Sequence, residues 1–252
     1  MDLDTDRAAE LNRAWWDAVR RQRDAGLIPK QVDVAADLRA GRGGPSPDER
    51  RLVGDVRGKR MLDLGCGAGR ELLEWSLAGA DVTGVDNSPA QLAAAQRAAD
   101  ALGVRGRLVL ADILALPDDL LQGQFDVVFS SHVTAWIGDL DRWFDEVRRA
   151  LAPGGVFLLR GGHALAGFLT GRRDGDPGRA SYFDEGPFVR RPGRSPDWNP
   201  LGEEHTFVEW SRGLGTVVTA VARAGLRVTD LVEASESGAP YPEFFVLRAT
   251  KT

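Results

Sequence analysis

The 252-residue chain carries 32 Lys and Arg against 37 Asp and Glu, a formal net charge of −5, with 43% hydrophobic and 27% charged residues. That length buries a core without staples, and that composition excludes overall disorder and disfavours generic binding to a phosphate backbone. A single cysteine excludes an internal disulfide and points to a reducing compartment, the cytoplasm; no apolar run approaches the ~20 residues of a membrane span, and the acidic start Met1-Asp2-Leu3-Asp4 is the opposite of a signal peptide's.

Residues 1–58 read as a helical extension. Leu11, Trp15 and Val19 share one helix face. After the break at Gly41–Pro45, Ser46-Pro47-Asp48-Glu49 is a capping box that predicts a short helix to Val53. Residues 59–160 alternate short apolar runs with helical stretches. Strands are expected at Arg60–Leu64, Asp81–Val85, Arg107–Leu110, Phe125–Ser130 and Gly155–Arg160, and helices at Arg70–Ala78, Pro89–Leu102 and Leu140–Leu151. That alternation, with near-continuous apolar strands, predicts an α/β fold whose parallel sheet is covered on both faces. Residues 161–212 are irregular but hold Tyr182, Phe183, Phe188, Trp198, Phe207 and Trp210, too many aromatics for a stretch left in water, and predict a substrate lid. Together with residues 1–40 it is expected to roof the strand ends, and its glycines at 161, 162, 167, 171, 175 and 178 supply hinge freedom. Residues 213–252 predict a helix at Gly215–Ala224 and strands at Leu226–Val232 and Glu243–Ala249. The short connection before the last strand makes it antiparallel. The whole, 1–252, reads as one domain.

Leu62-Asp63-Leu64-Gly65-Cys66-Gly67-Ala68-Gly69-Arg70 follows a strand and opens a helix, the context that gives a glycine loop meaning. Asp86, at the end of the next strand, is placed to accept hydrogen bonds from ribose hydroxyls. A dinucleotide fingerprint wants glycine where Arg70 stands. Asp63 would repel a pyrophosphate and attract an ammonium, so the loop suits a nucleoside carrying a cationic amino acid.

Five motifs in order and spacing make the chain resemble the class I S-adenosylmethionine-dependent methyltransferases. They are the glycine loop, Gly84-Val85-Asp86-Asn87-Ser88-Pro89, Ala111-Asp112-Ile113, Phe125-Asp126-Val127-Val128-Phe129-Ser130-Ser131 and Leu151-Ala152-Pro153-Gly154-Gly155-Val156. More loosely, Asn12–Asp17 and Glu209–Leu226 resemble a bacterial subgroup acting on small molecules. The resemblance implies a Rossmann-like, mostly parallel sheet of seven strands and S-adenosyl-L-methionine as cofactor. It implies that Asp63, Gly65, Cys66 and Gly67 surround the methionine end of the cofactor. Asp86 would then bind the ribose, Asn87 and Ser88 would line its edge, and Asp112 and Ile113 would meet the adenine. Ser130 and Ser131 would lie under the sulfonium. Cys66 reads as a filler rather than a nucleophile, and Asp126 as a turn or cap.

In-line displacement needs alignment and exclusion of water, and a general base when the acceptor must lose a proton. His132 and His163 follow the fourth and fifth strands and are the candidate bases. His205, Trp16, Tyr182 and Trp210 are candidates for the substrate side. The fourth strand lacks the Pro-Pro motif that resembling families use on nucleic acid and glutamine, which together with the acidic charge favours a small-molecule acceptor, with no nucleic-acid or membrane partner. No Cys/His cluster has zinc spacing, so no metal is expected. A monomer or homodimer is expected. Two alternatives stand beside methyl transfer: a cyclase or decarboxylase that keeps the methyl group, and an NAD-dependent oxidoreductase, against which Asp63 and Arg70 argue.

Overall fold

The structure, a computed structural model, describes residues 4–27, 33–173, 181–190 and 205–252. Its frame is a seven-stranded sheet built from β1 (Arg60–Leu64), β2 (Asp81–Asp86), β3 (Arg107–Leu110), β4 (Phe125–Ser131), β5 (Leu151–Gly162), β8 (Leu226–Ala234) and β9 (Phe244–Lys251). The spatial order is β3-β2-β1-β4-β5-β9-β8, and β9 alone runs against its neighbours. The short Ala234–Glu243 connection returns the chain directly into that antiparallel pairing, as expected. Strand order reverses between β1 and β4, both of which pair in parallel. In open α/β sheets the ligand crevice lies at such a reversal, at the carboxyl ends.

Met61, Leu62 and Leu64 of β1 and Val127, Val128 and Phe129 of β4 are all fully buried. Strands buried on both faces explain the continuous apolar runs in the sequence. Helices cover both faces: α1 (Thr5–Asp24), α2 (Val34–Arg39), α3 (Pro47–Val53), α4 (Arg70–Leu77) and α5 (Pro89–Leu102), then α6 (Leu140–Ala150), α7 (Ala164–Arg173) and α8 (Leu214–Arg223). Local chemistry places their ends. Ser46 Oγ accepts from Glu49 N at 3.2 Å while Glu49 Oε2 accepts from Ser46 N at 2.6 Å, the full capping box. Ser88 caps α5 with proline at its first turn. Asp126 accepts from Arg60 N at 2.8 Å, so it fixes the start of β1 and β4 as a cap.

Two expectations change. β5 begins at Leu151, ahead of Gly155, because Leu151 already pairs with Phe125 before a register shift toward Val127. Within 161–212, the described residues hold more regular structure than the composition suggests. They form α7 and a two-stranded ribbon of β6 (Phe188–Arg190) and β7 (Phe207–Glu209). Three-residue strands are too short to show alternation in a sequence. Trp198 and the glycines at 175 and 178 lie outside the described residues.

Candidate active site

The turn after β1 is held open by glycine. Gly65 has φ +78°, and a Cβ there would sit 2.6 Å from Val133 Cγ2, just past the end of β4. The two strand-end loops therefore touch, and only glycine permits it. At Gly67, φ +53°, an added Cβ would meet nothing within 4 Å; this backbone faces open space. Gly65 N and Cys66 N both donate to Val85 O, at 2.8 and 3.0 Å, which ties the loop to the end of β2. Gly67 N donates to Asp86 Oδ2 and Ser88 N to Asp86 Oδ1, each at 2.9 Å.

The electrostatics of this crevice are one-sided. Asp63, at the end of β1, is 3% exposed. Burial first, then Glu71, Asp86 and Glu49, pushes its pKa well above the usual carboxylate range, and no hydrogen bond opposes that push. Burial likewise raises Glu71 and Asp86, with backbone donors to Asp86 pulling back. Charged groups are disfavoured here until a cation arrives. A pyrophosphate would meet repulsion, whereas an amino acid's ammonium supplies the missing charge. The donor set thus fits S-adenosylmethionine and does not fit a dinucleotide. Burial, followed by Asp63, also raises the Cys66 thiol well above its ordinary value, which disfavours the nucleophilic thiolate.

The remaining cofactor-side residues divide by what they already hold. Asn87 is half-buried beside Asp86. Asp112 accepts from Leu114 N at 2.9 Å through Oδ1, and Ala111 N donates to the backbone oxygen of Asp86, which brings the end of β3 against the end of β2; Ile113 is buried next to Asp112. Ser88 is fully buried, caps Gln91 N and donates to Asp17 Oδ1 at 2.5 Å; it shapes the edge through α5 rather than by a free hydroxyl. Ser130 Oγ donates to Leu64 O at 2.7 Å, a tie between β1 and β4 that occupies its hydroxyl proton. Ser131 Oγ, by contrast, is buried with no partner. A buried hydroxyl without a partner at a strand end calls for a ligand.

On the acceptor side, His132 is the residue with the strained backbone. Its φ is +58°, the single positive φ outside glycine among the described residues, and its N–H donates to Arg160 O at 2.9 Å. Such a conformation in a non-glycine residue is costly and concentrates at working sites. The ring reaches solvent, yet protein crowds it; that desolvation first, then the Arg160 guanidinium, holds its pKa down to about 4. At neutral pH the imidazole is an uncharged base. His163 is different. Its Nδ1 accepts from Leu165 N at 3.1 Å, so Nε2 carries the proton and donates to Glu233 Oε1 at 2.7 Å. Both nitrogens are hydrogen-bonded in this structure, and His163 ties β5 to β8.

The roof joins α1 to the ribbon. Asn12 Nδ2 donates to Val208 O at 2.9 Å and Asn12 Oδ1 accepts from Val208 N at 2.8 Å. Trp15 stacks on Trp136 at 5.5 Å and meets Phe207 at 4.7 Å, while Trp16 stands edge-on to both tryptophans and stays half-buried. Trp136 lies in the 3-10 turn after β4, and Trp210 N donates to Ala135 O, so this cluster sits at the carboxyl end of the sheet. Trp210 itself is 7% exposed and packs with Ala8 and Val208, which corrects it from substrate contact to core. Tyr182 is half-buried and edge-on to Phe183; His205 is exposed.

Several site residues escaped sequence reasoning. Arg160 is 8% exposed, bridges Glu49 at 3.3 Å and Glu236 at 2.8 Å, and stacks over Phe244 at 4.3 Å. An arginine ending the apolar run Val156–Leu159 was the available signal. Glu71 and Asp17 gave no signal beyond ordinary helix charge.

Residues 62–159 match the family model described as "Methyltransferase domain". The chain is 40% identical over 138 residues to a demethylmenaquinone methyltransferase of Thermus thermophilus, covering 53% of this chain and 58% of that protein. It is 30% identical over 159 residues to a ubiquinone biosynthesis O-methyltransferase of Sinorhizobium medicae, covering 62% and 61%. The chain thus spans about three-fifths of the length of these two curated relatives. A solved S-adenosylmethionine-dependent methyltransferase of Mesorhizobium loti superposes with a TM-score of 0.64 at 28% identity, over 81% of this chain and 96% of that one.

Proposed function

Because residues 62–159 match a methyltransferase domain and the fold superposes on a solved S-adenosylmethionine-dependent methyltransferase, we propose that this chain is a class I S-adenosylmethionine-dependent methyltransferase that takes S-adenosylmethionine as cofactor and methylates an O, N or C atom of a small molecule. The observation that carries this reading is the buried, uncompensated Asp63 beside the open backbone of Gly67.

S-adenosylmethionine supplies an electrophilic methyl group on a sulfonium. Everything else is done by the chain. Asp63 would hold the ammonium, whose positive charge offsets the push from Glu71 and Asp86. Asp86, already anchored by Gly67 N and Ser88 N, offers its remaining lone pairs to ribose hydroxyls. Asn87 borders the ribose, and Asp112 with Ile113 takes the adenine edge. Ser131 offers its free hydroxyl at the β4 end. Trp15, Trp16, Trp136 and Phe207 exclude water from that end, which strengthens each polar contact and blocks hydrolysis. His132, neutral and strained at the mouth, accepts a proton from an acceptor that must lose one. Residues 1–58 serve as the cap, 59–160 as the cofactor-binding core and 161–212 as the substrate lid.

Methyl-labelled S-adenosylmethionine with a panel of phenols, amines and carboxylic acids tests this. Label is expected in a small molecule, with S-adenosylhomocysteine released in equal amount. Label in protein or RNA instead, or turnover without release, overturns the reading.

A further inference from the structure

A second polar cleft lies away from the crevice. It has a volume of about 380 Å³ and is walled by the end of α1, the start of α2 and the outer turns of α5, touching the glycine loop only at Ala68. On α5 it runs from Ala94 to Ala101. At 1.5 Å per residue, Ala101 is roughly 18 Å from Pro89, so the cleft leads away from the ribose carboxylate.

Three arginines line it, Arg20, Arg23 and Arg97. Arg20 and Arg97 share one carboxylate, Asp24, at 2.5 and 2.6 Å. Arg23 has no ion-pair partner among the described residues, and the Nε atoms of both Arg20 and Arg23 are buried without a hydrogen-bond acceptor. The Arg20 side chain is only 7% exposed. Burial first, then the neighbouring Arg20 charge, lowers the Arg23 pKa. Basic residues favour the last turn of a helix, but that interaction works from the surface and does not require guanidinium N–H groups turned inward and left unbonded. The other carboxylate on the cleft wall, Asp33, caps α2 by accepting from Ala36 N at 2.9 Å. Buried cations are normally paired, and buried N–H donors normally bonded. Here two N–H donors are left unbonded beside a half-buried guanidinium with no ion-pair partner among the described residues, in a cavity of ligand size.

We propose that this cleft binds a small anion bearing a carboxylate or phosphate group, held by Arg23 with Arg20 and Arg97 beside it. An oxyanion in the cleft supplies the counter-charge that Arg23 lacks and offsets the like charges of Arg20 and Arg23. The site is independent of the methyl-transfer reading.

The test is thermal stability and calorimetric titration with inorganic phosphate and with citrate, at ionic strength held constant with sodium chloride. Wild type is expected to show saturable binding and a rise in Tm. Arg23→Gln should weaken that binding at least tenfold while leaving S-adenosylhomocysteine affinity within twofold, and it should be no less stable than wild type without anion, since it removes an unpaired charge beside Arg20. Ala101→Trp keeps every charge but fills the cleft, and should also block the anion. A wild type that responds no more than to sodium chloride, or equal binding by either variant, overturns the proposal.

Discussion

Beneath the glycine loop, Asp63, Glu71 and Asp86 crowd one another with their pKa values driven up by burial. At the exit of β5 the polar groups instead close on one another: His163 on Glu233 and Leu165 N, Arg160 on Glu49 and Glu236. The first region lacks a counter-charge, whereas in the second each charge has a partner, although Arg160 Nε and Glu49 Oε1 stay unbonded. Incompleteness marks where a ligand adds free energy, while completed pairs fix shape. His132 stands on the border, with a strained backbone and no side-chain hydrogen bond among the described residues.

The largest effect is expected there. If His132 removes a proton from the acceptor, His132→Ala lowers kcat by about 10²–10⁴-fold with cofactor affinity kept. Its folded pKa of about 4 lies below the ordinary 6.5, so the acid limb of the rate profile should fall near pH 4. The sign for stability follows: the contribution of a neutral His132 is present above 6.5 and is lost as pH falls toward 4. An acid limb at 6.5, or an unchanged kcat in the variant, breaks the contrast between border and interior.

Next is Asp63→Asn. Losing a hydrogen bond to the ammonium costs about 1.5–3 kcal/mol, roughly a 10–150-fold weaker cofactor complex. The ligand-free variant should melt higher than wild type. The folded pKa of Asp63 is raised, so its favourable contribution exists at low pH and is lost as pH rises through that value; asparagine removes part of this slope. A variant both weaker in binding and less stable would show that Asp63 is a structural group.

The smallest effect tests the completed region. His163→Phe breaks two hydrogen bonds and should cost about 1–2 kcal/mol of stability, seen as a lower Tm, with kcat nearly unchanged. A large loss of kcat in a folded His163→Phe would return it to catalysis.

What could be read from the sequence follows the range of the interaction. The capping box at Ser46 and Glu49, the proline-started helix after Ser88 and the glycine loop are local, and each stands in the structure where its residues predict it. The parallel core was legible because strands buried on both faces leave unbroken apolar runs. The partners of His163 and Arg160 were not legible. Glu233 lies 70 residues from His163 and Glu49 lies 111 from Arg160, so nothing near either residue announces that its charge is already spoken for. Trp210 misled for the same reason: an aromatic in an irregular stretch looks like a ligand wall until Ala8, from the opposite end of the chain, is seen packed against it.

The bonds between Asn12 and Val208 have a consequence for the order of assembly. One amide side chain occupies both the N–H and the C=O of a β7 residue, as a neighbouring strand would, across a separation of 196 residues. Closing so long a loop is entropically expensive and is repaid only when much of the intervening chain is already fixed. The sheet should therefore form first and the roof last. In pulse-labelled refolding, the Val208 amide should gain protection after the amides of β1 and β4, and a chain made from its amino end can shelter its own crevice only once residue 208 has emerged.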